Sequence, residues 1–144
     1  MATFYFLMQH KPTPEQISAA RAMGADKVVA LAPAKPEDRV GGVEYEGSIS
    51  LLNVPDDPGL NRDWFVTQVA KIDDAVGGFA NGDTIHAAGQ GQLVNAINGI
   101  ARSLGANCVE SVTTRESIDR SQPDGSVKKE SVFRFRGFRP VYEF

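Results

Sequence analysis

Three short stretches hold most of the groups in this chain that could do chemistry. They are Gln9-His10-Lys11, Gly89-Gln90-Gly91-Gln92 and Thr113-Thr114-Arg115. Together they supply an imidazole, two cations, amides and hydroxyls, and no carboxylate. That donor set suits an anion, above all a phosphate. His10 is placed to donate to a phosphate or to act as a general acid. Arg115 could grip a phosphate with its forked guanidinium. The glycines at 89 and 91 allow backbone N–H groups to approach a ligand closely. The same residues also fit a blander account: a tight strand–helix turn, a surface loop histidine, and an arginine paired with its neighbour Glu116. Val94 stands where the third glycine of a dinucleotide fingerprint would fall, so that motif is incomplete.

Each stretch follows a segment fit to be a buried strand. Thr3–Met8 is a hydrophobic run broken by Gln9-His10-Lys11-Pro12. Thr13-Pro14-Glu15-Gln16 then reads as a capping box that opens a helix, with Ile17, Ala20 and Met23 on its apolar side and Gly24 as its stop. Lys27–Leu31 is a second strand, so the chain opens strand–helix–strand and predicts a parallel pair. Phe65, Val69, Ile72 and Val76 recur at helical spacing before Gly77-Gly78. Residues 83–88 predict the strand that leads into the glycine turn. Leu93, Ile97, Ile100, Ala101 and Leu104 form one face of the following helix, and Asn107–Val112 predicts the next strand. Alternation of this kind argues for a doubly wound, mostly parallel α/β sheet flanked by helices, in which ligands bind beyond the carboxyl ends of the strands. The three chemical stretches should converge there.

Two regions depart from the alternation. Residues 32–62 are punctuated by Pro33, Pro36, Pro55 and Pro58, and predict a surface excursion, with a short hairpin around Val43–Leu52 or a lid over the site as the alternatives. Near the C-terminus, Glu110–Arg120 and Ser126–Arg136 flank the turn signal Gln122-Pro123-Asp124-Gly125 and predict an antiparallel hairpin. Phe133 and Phe135 alternate with Arg134 and Arg136 there. The expectation is that the phenylalanines face the core, while the role of Arg134, Arg136 and Arg139 stays open. His86, inside a strand with apolar neighbours, is expected to be a structural, hydrogen-bonded histidine.

Size and composition bound the function. The 144 residues suit one domain, 1–144, with a sizeable core. No apolar run is long enough to span a membrane, and the opening Met1-Ala-Thr-Phe lacks the basic start of a signal peptide, so a cytoplasmic protein is expected. The single cysteine, Cys108, rules out an internal disulfide and a cysteine-rich zinc site, and its apolar surroundings predict a small core residue. Zinc spacing, a P-loop lysine, a calcium loop and a Ser-His-Asp order are all missing from the sequence, so neither a metal nor a cofactor is expected. Residues 1–100 carry 7 basic and 12 acidic side chains, and residues 101–144 carry 8 and 6. With a net charge of −3 the chain is a poor candidate for gripping long nucleic acid, whereas a small anionic ligand on a local basic cluster is compatible.

The run Phe6-Leu-Met-Gln-His10-Lys-Pro-Thr-Pro-Glu-Gln16, the loop Gln90-Gly91-Gln92, Thr113-Thr-Arg115-Glu116 and the ending Ser131-Val-Phe-Arg-Phe-Arg-Gly-Phe-Arg139 come in the order found in one family. Over most of its length the chain resembles the small CRISPR-associated ring nucleases of type III systems, whose fold is similar to that of CARF sensor domains. The resemblance implies a Rossmann-like domain that binds cyclic oligoadenylate, such as cyclic tetra-adenylate, across a homodimer cleft. It implies cleavage to linear products without metal, the ribose 2′-OH attacking the neighbouring phosphate, which switches off antiviral signalling. His10 and Arg115 would then be catalytic, and Gln9, Lys11, Gly89, Gln90, Gly91, Gln92, Thr113 and Thr114 would bind the ligand. The chain carries Gln9 where the family tends to have serine and Gln92 where it tends to have aspartate, and it lacks the family's histidine near Phe135. Two further readings therefore stand beside the enzyme: a messenger-binding module that does not cut, a sensor or a sponge of host or viral origin, and an unrelated nucleotide-binding domain.

Overall fold

The computed structural model describes residues 2–144. Strand β1 (Thr3–Leu7) leads through helix α1 (Pro14–Ala22) to β2 (Lys27–Leu31). An irregular stretch then gives the short edge strand β3 (Glu44–Glu46) and a 3₁₀ turn (Ile49–Leu52). Helix α2 (Arg62–Ala75), strand β4 (Thr84–Ala87), helix α3 (Gly91–Ser103) and strands β5 (Asn107–Ser121) and β6 (Val127–Pro140) follow. The six strands form one sheet in the order β3-β2-β1-β4-β5-β6. All neighbours are parallel except the final β5–β6 pair. This is the doubly wound α/β architecture that the alternation predicts, with an antiparallel hairpin at one edge.

Each helix starts and stops where the sequence signals it. Thr13 accepts from the Gln16 N–H, and the Gln16 side chain accepts from the Thr13 N–H in return, so both partners of the capping box are present. Asn61 caps α2 through the Trp64 N–H, and Gln90 caps α3 through the Leu93 N–H. Gly24 and Gly77 take positive φ just past α1 and α2, where the chain must turn away. Strand alternation divides the core in two. Tyr5, Leu7, Val29 and Ile85 pack beneath α2 and α3, against Phe65, Val69, Ile72 and Ile97. Phe4, Phe6, Val28 and Val109 face α1, where Phe138 closes the cluster. Cys108 is buried, as expected, whereas Met23 and Leu104 lie at helix ends and are exposed.

The excursion after β2 does not contain a hairpin. Glu44–Glu46 instead adds a parallel edge strand to β2, and Tyr45 pairs with Ala30. The long hairpin also differs from expectation. Asn107–Val112 and the following segment form one continuous strand, so Thr113-Thr114-Arg115 is not a loop. A register shift between Val112 and Thr113 marks where β5 leaves the sheet. Beyond it, β5 and β6 project past the carboxyl edge as a two-stranded arm of about 30 Å. No helix among the described residues is long and apolar enough to cross a membrane.

Asp83 locks the amino edge of the sheet. Its carboxylate is 3% exposed and accepts from the N–H groups of Thr3 and Ala80, at 3.0 and 2.9 Å. Its carbonyl accepts from Asn107. Replacing Asp83 by alanine removes two acceptors from part-buried donors and is expected to cost about 2–4 kcal/mol. Urea unfolding checks this; a loss below 0.5 kcal/mol would show that water replaces the carboxylate there.

Candidate functional site

The chain winds away from β1 in two directions, to β2 on one side and to β4 on the other, so a crevice opens between the loops that follow β1 and β4. Residues 8–12 form one wall. Ala88, Gly89 and Gln90 form the other. Gly89 takes φ +139°, which turns the strand directly into α3. Gly91 has no positive φ and a side chain there would meet open space, so its backbone does not require glycine. That absence of a side chain leaves the first turn of α3 open to close approach. The Gln90 carbonyl oxygen is engaged as the cap, which leaves its amide nitrogen free to donate outward.

Two cavities flank the Gln9 side chain. One, of about 370 Å³, lies between Gln9, Gly89, Gln90 and the segment Leu52-Asn53-Val54. The other, of about 330 Å³, lies between the 8–12 loop and the excursion, with His10, Lys11, Lys35 and Tyr45 among its lining. Gln9 donates to the Asn53 side chain at 2.9 Å and so separates the two spaces. The excursion thus lines both cavities. Asn53, Lys35, Asp38 and Tyr45 were not among the site residues read from sequence. The available signal was the proline-punctuated stretch itself, which marks a long connection but not which of its side chains turn inward.

The predicted residues do not all meet. Gln9, His10 and Lys11 gather at the second cavity, and Gln9, Gly89 and Gln90 at the first. Gln92 points elsewhere, into a groove with Asn61, Arg62 and Phe65 between α2 and α3, because it lies on the next helical position around. Thr113, Thr114 and Arg115 stand on the arm, exposed. Arg115 is not paired with Glu116: the strand sends them to opposite faces. Its guanidinium donates to Ser131 at 3.1 Å and lies 5.9 Å from the Phe133 ring centre. Glu116 instead takes both Arg134 and Arg136, at 2.6 and 2.8 Å, and Glu110 takes Arg139. The basic stripe of β6 is therefore largely neutralised within its own hairpin. Phe135 packs on Phe138 at 5.0 Å, but Phe133 is 72% exposed and does not belong to the core. The expectation fails there because the arm has left the sheet, so neither of its faces meets a helix.

His86 is buried, as expected, beneath α1. Its Nε2 lies 2.7 Å from the Ser111 hydroxyl, which also accepts from Gln16. Ser111 thus links Gln16 to the Nε2 of His86, while Nδ1 is buried without a partner. Burial pushes the pKa of His86 down. No group of three or more His, Cys, Asp or Glu among the described residues is placed to hold a metal ion.

The chain matches, over residues 2–139, the family described as the uncharacterized protein MJ1673 family, and it belongs to that family. No curated protein matches it.

Two stability measurements test this geometry. Gly89→Ala should cost roughly 1–2 kcal/mol, because alanine rarely adopts that φ, whereas Gly91→Ala should be neutral or slightly stabilising. Equal losses in urea unfolding would contradict the assignment of the turn to Gly89. The lowered pKa of His86 means the unfolded chain takes up its proton first as pH falls. Stability should therefore decline as pH drops below about 6.5, the ordinary histidine value. His86→Gln should flatten that decline, and an unchanged slope would place its origin elsewhere.

Proposed function

We propose that the crevice binds cyclic oligoadenylate and opens the ring by attack of a ribose 2′-OH on the adjoining phosphate. The observation that carries the reading is the pair of cavities that share Gln9 where the winding reverses, with His10 and Lys11 lining one and Gly89 and Gln90 the other. These groups donate hydrogen bonds or positive charge, and several are unpaired, which suits a ligand built of linked phosphates. The likeness to ring nucleases in sequence order supplies the identity of that ligand. In the reaction the 2′-oxygen forms a bond to phosphorus while the bond to the 5′-oxygen breaks. The products are a 2′,3′-cyclic phosphate and a 5′-hydroxyl, and the proton lost at the 2′-oxygen is balanced by one gained at the 5′-oxygen. His10, exposed beside the crevice, is the group assigned to proton transfer, worth about 10²–10⁴ in rate. Lys11, which lines the same cavity as His10, would stabilise charge on the phosphorane.

Arg115 stands on the arm and lines neither cavity, which favours a second reading: a module that binds the messenger without cutting it. Arg115 could then reach ligand only where the arm lies over a crevice, and a homodimer with a cleft shared between copies is the arrangement we infer for it. Incubation with cyclic tetra-adenylate in the presence of a chelator separates the two. Linear products are expected, with His10→Ala slower by at least a hundredfold at similar affinity and Arg115→Ala about tenfold weaker in binding. Binding without products selects the non-cleaving module, and no binding rejects both.

A further inference from the structure

The cavity beneath the 32–62 excursion has a chemistry of its own. Its floor is apolar, formed by Met8, Ala30, Leu31 and Ile49. Its rim carries Lys11, Lys35 and His10, all exposed, and none of the three makes an ion pair or side-chain hydrogen bond with another described residue. On the hairpin arm Arg134, Arg136 and Arg120 are paired with carboxylates, but no apolar cavity lies beside the unpaired Arg115, Lys128 and Lys129 among the cavities described. Tyr45 presents its ring to the cavity and is held there, since its hydroxyl accepts from the Val40 N–H at 2.9 Å and Arg39 stacks 5.3 Å from the ring centre. Asp38 is half-buried at the same cavity, and its carboxylate too has no hydrogen bond or ion pair within the described chain.

This combination selects among ligands. Cations over an apolar floor suit an anion with an apolar body. A carboxylate inside the same cavity opposes an acyl chain, which would strip its water and return no hydrogen bond. It favours a planar ring that carries an amino group, whose N–H can donate to it. A volume of about 330 Å³ lies within the range of small-ligand sites. We infer that this cavity is an adenylate subsite: an aminopurine ring seats against Tyr45 and Ile49, its amino group donates to Asp38, and Lys11 and Lys35 take the phosphate. Gln9 lines this cavity and the neighbouring one, and it must release Asn53 for the next phosphate of a longer ligand to reach Gly89 and Gln90. In naming which unit of a cyclic oligoadenylate goes where, the inference rests on the function proposed above.

The test uses adenosine 5′-monophosphate, inosine 5′-monophosphate and ribose 5-phosphate in calorimetric or NMR titrations of the intact protein. The inosine compound replaces the amino group by a carbonyl, which would face the Asp38 carboxylate acceptor to acceptor. Adenosine monophosphate should bind at least tenfold more tightly than either of the others. Asp38→Asn should narrow the adenosine-to-inosine gap, because its amide can donate as well as accept. Lys35→Glu should weaken both nucleotides about tenfold or more, and Ala34→Trp, which fills the mouth from an exposed position, should abolish binding. Unfolding curves that match the parent exclude misfolding as the cause. Equal affinity for the two nucleotides, or Lys35→Glu and Ala34→Trp proteins that bind like the parent, overturns the subsite. Cyclic tetra-adenylate cleavage in the same proteins keeps the two proposals apart. Normal cleavage with no monophosphate binding removes the subsite alone. Lys35-dependent monophosphate binding in a protein that ignores the cyclic compound removes the proposed function and leaves the subsite standing.

Discussion

The carboxylate of Asp83 joins the two strands between which the sheet reverses its winding. By accepting from Thr3 at the start of β1 while its own carbonyl accepts from Asn107 at the start of β5, it sets where three strands begin. Strand β1 then pairs with β4 from Phe4–Thr84 to Leu7–Ala87, and both strands end at the same height. Everything that forms the crevice hangs on that height. The 8–12 loop leaves from one strand end and the Gly89 turn from the other, so a slip of one residue between β1 and β4 would part Gln9 from Gly89 and send every side chain of one strand to the wrong face. The polar lock sits at the opposite edge of the sheet from the chemistry, where it fixes the geometry without occupying the space a ligand needs.

Charge is distributed with the same separation. On the hairpin, arginines and glutamates of opposite strands face one another, which stabilises cross-strand pairing modestly, while Arg115, Lys128 and Lys129 make no ion pair with another described residue. At the crevice, lysines and a histidine stand without carboxylate partners.

How much of this was legible in the sequence depended on the range of the interaction that decides each feature. The capping box at Thr13 and Gln16, the glycine stops after α1 and α2, and the helical faces of Phe65–Val76 and Leu93–Ala101 are set by neighbours a few residues apart, and all are found as expected. The parallel sheet followed from their alternation. Features that depend on distant partners were not legible. Phe133 alternates like a core residue, yet nothing covers it, because burial depends on whether a helix lies opposite and not on the strand's own pattern. Glu116 follows Arg115 in sequence but bonds across the hairpin to Arg134 and Arg136. Tyr45 and Asp38 come to the β1 loop only because β3 pairs with β2 at the far side of an irregular connection. The glycine turn was half legible: the sequence marked both Gly89 and Gly91, and only the backbone torsion distinguishes the structural one from the open one.

Strand β5 belongs to two environments. Its first residues lie between β4 and β6 and under α1, whereas from Thr113 onward it has one neighbour and solvent on both faces. A two-stranded ribbon is only marginally stable alone, while a strand flanked on both sides opens only with the whole domain. Amide protons along this single element therefore divide into two kinetic classes. Those near Cys108 and Val109 exchange with solvent on the slow clock of global unfolding, and those near Ser117 and Asp119 on the fast clock of local fraying. The bulge at Val112 and Thr113 is the boundary between the clocks.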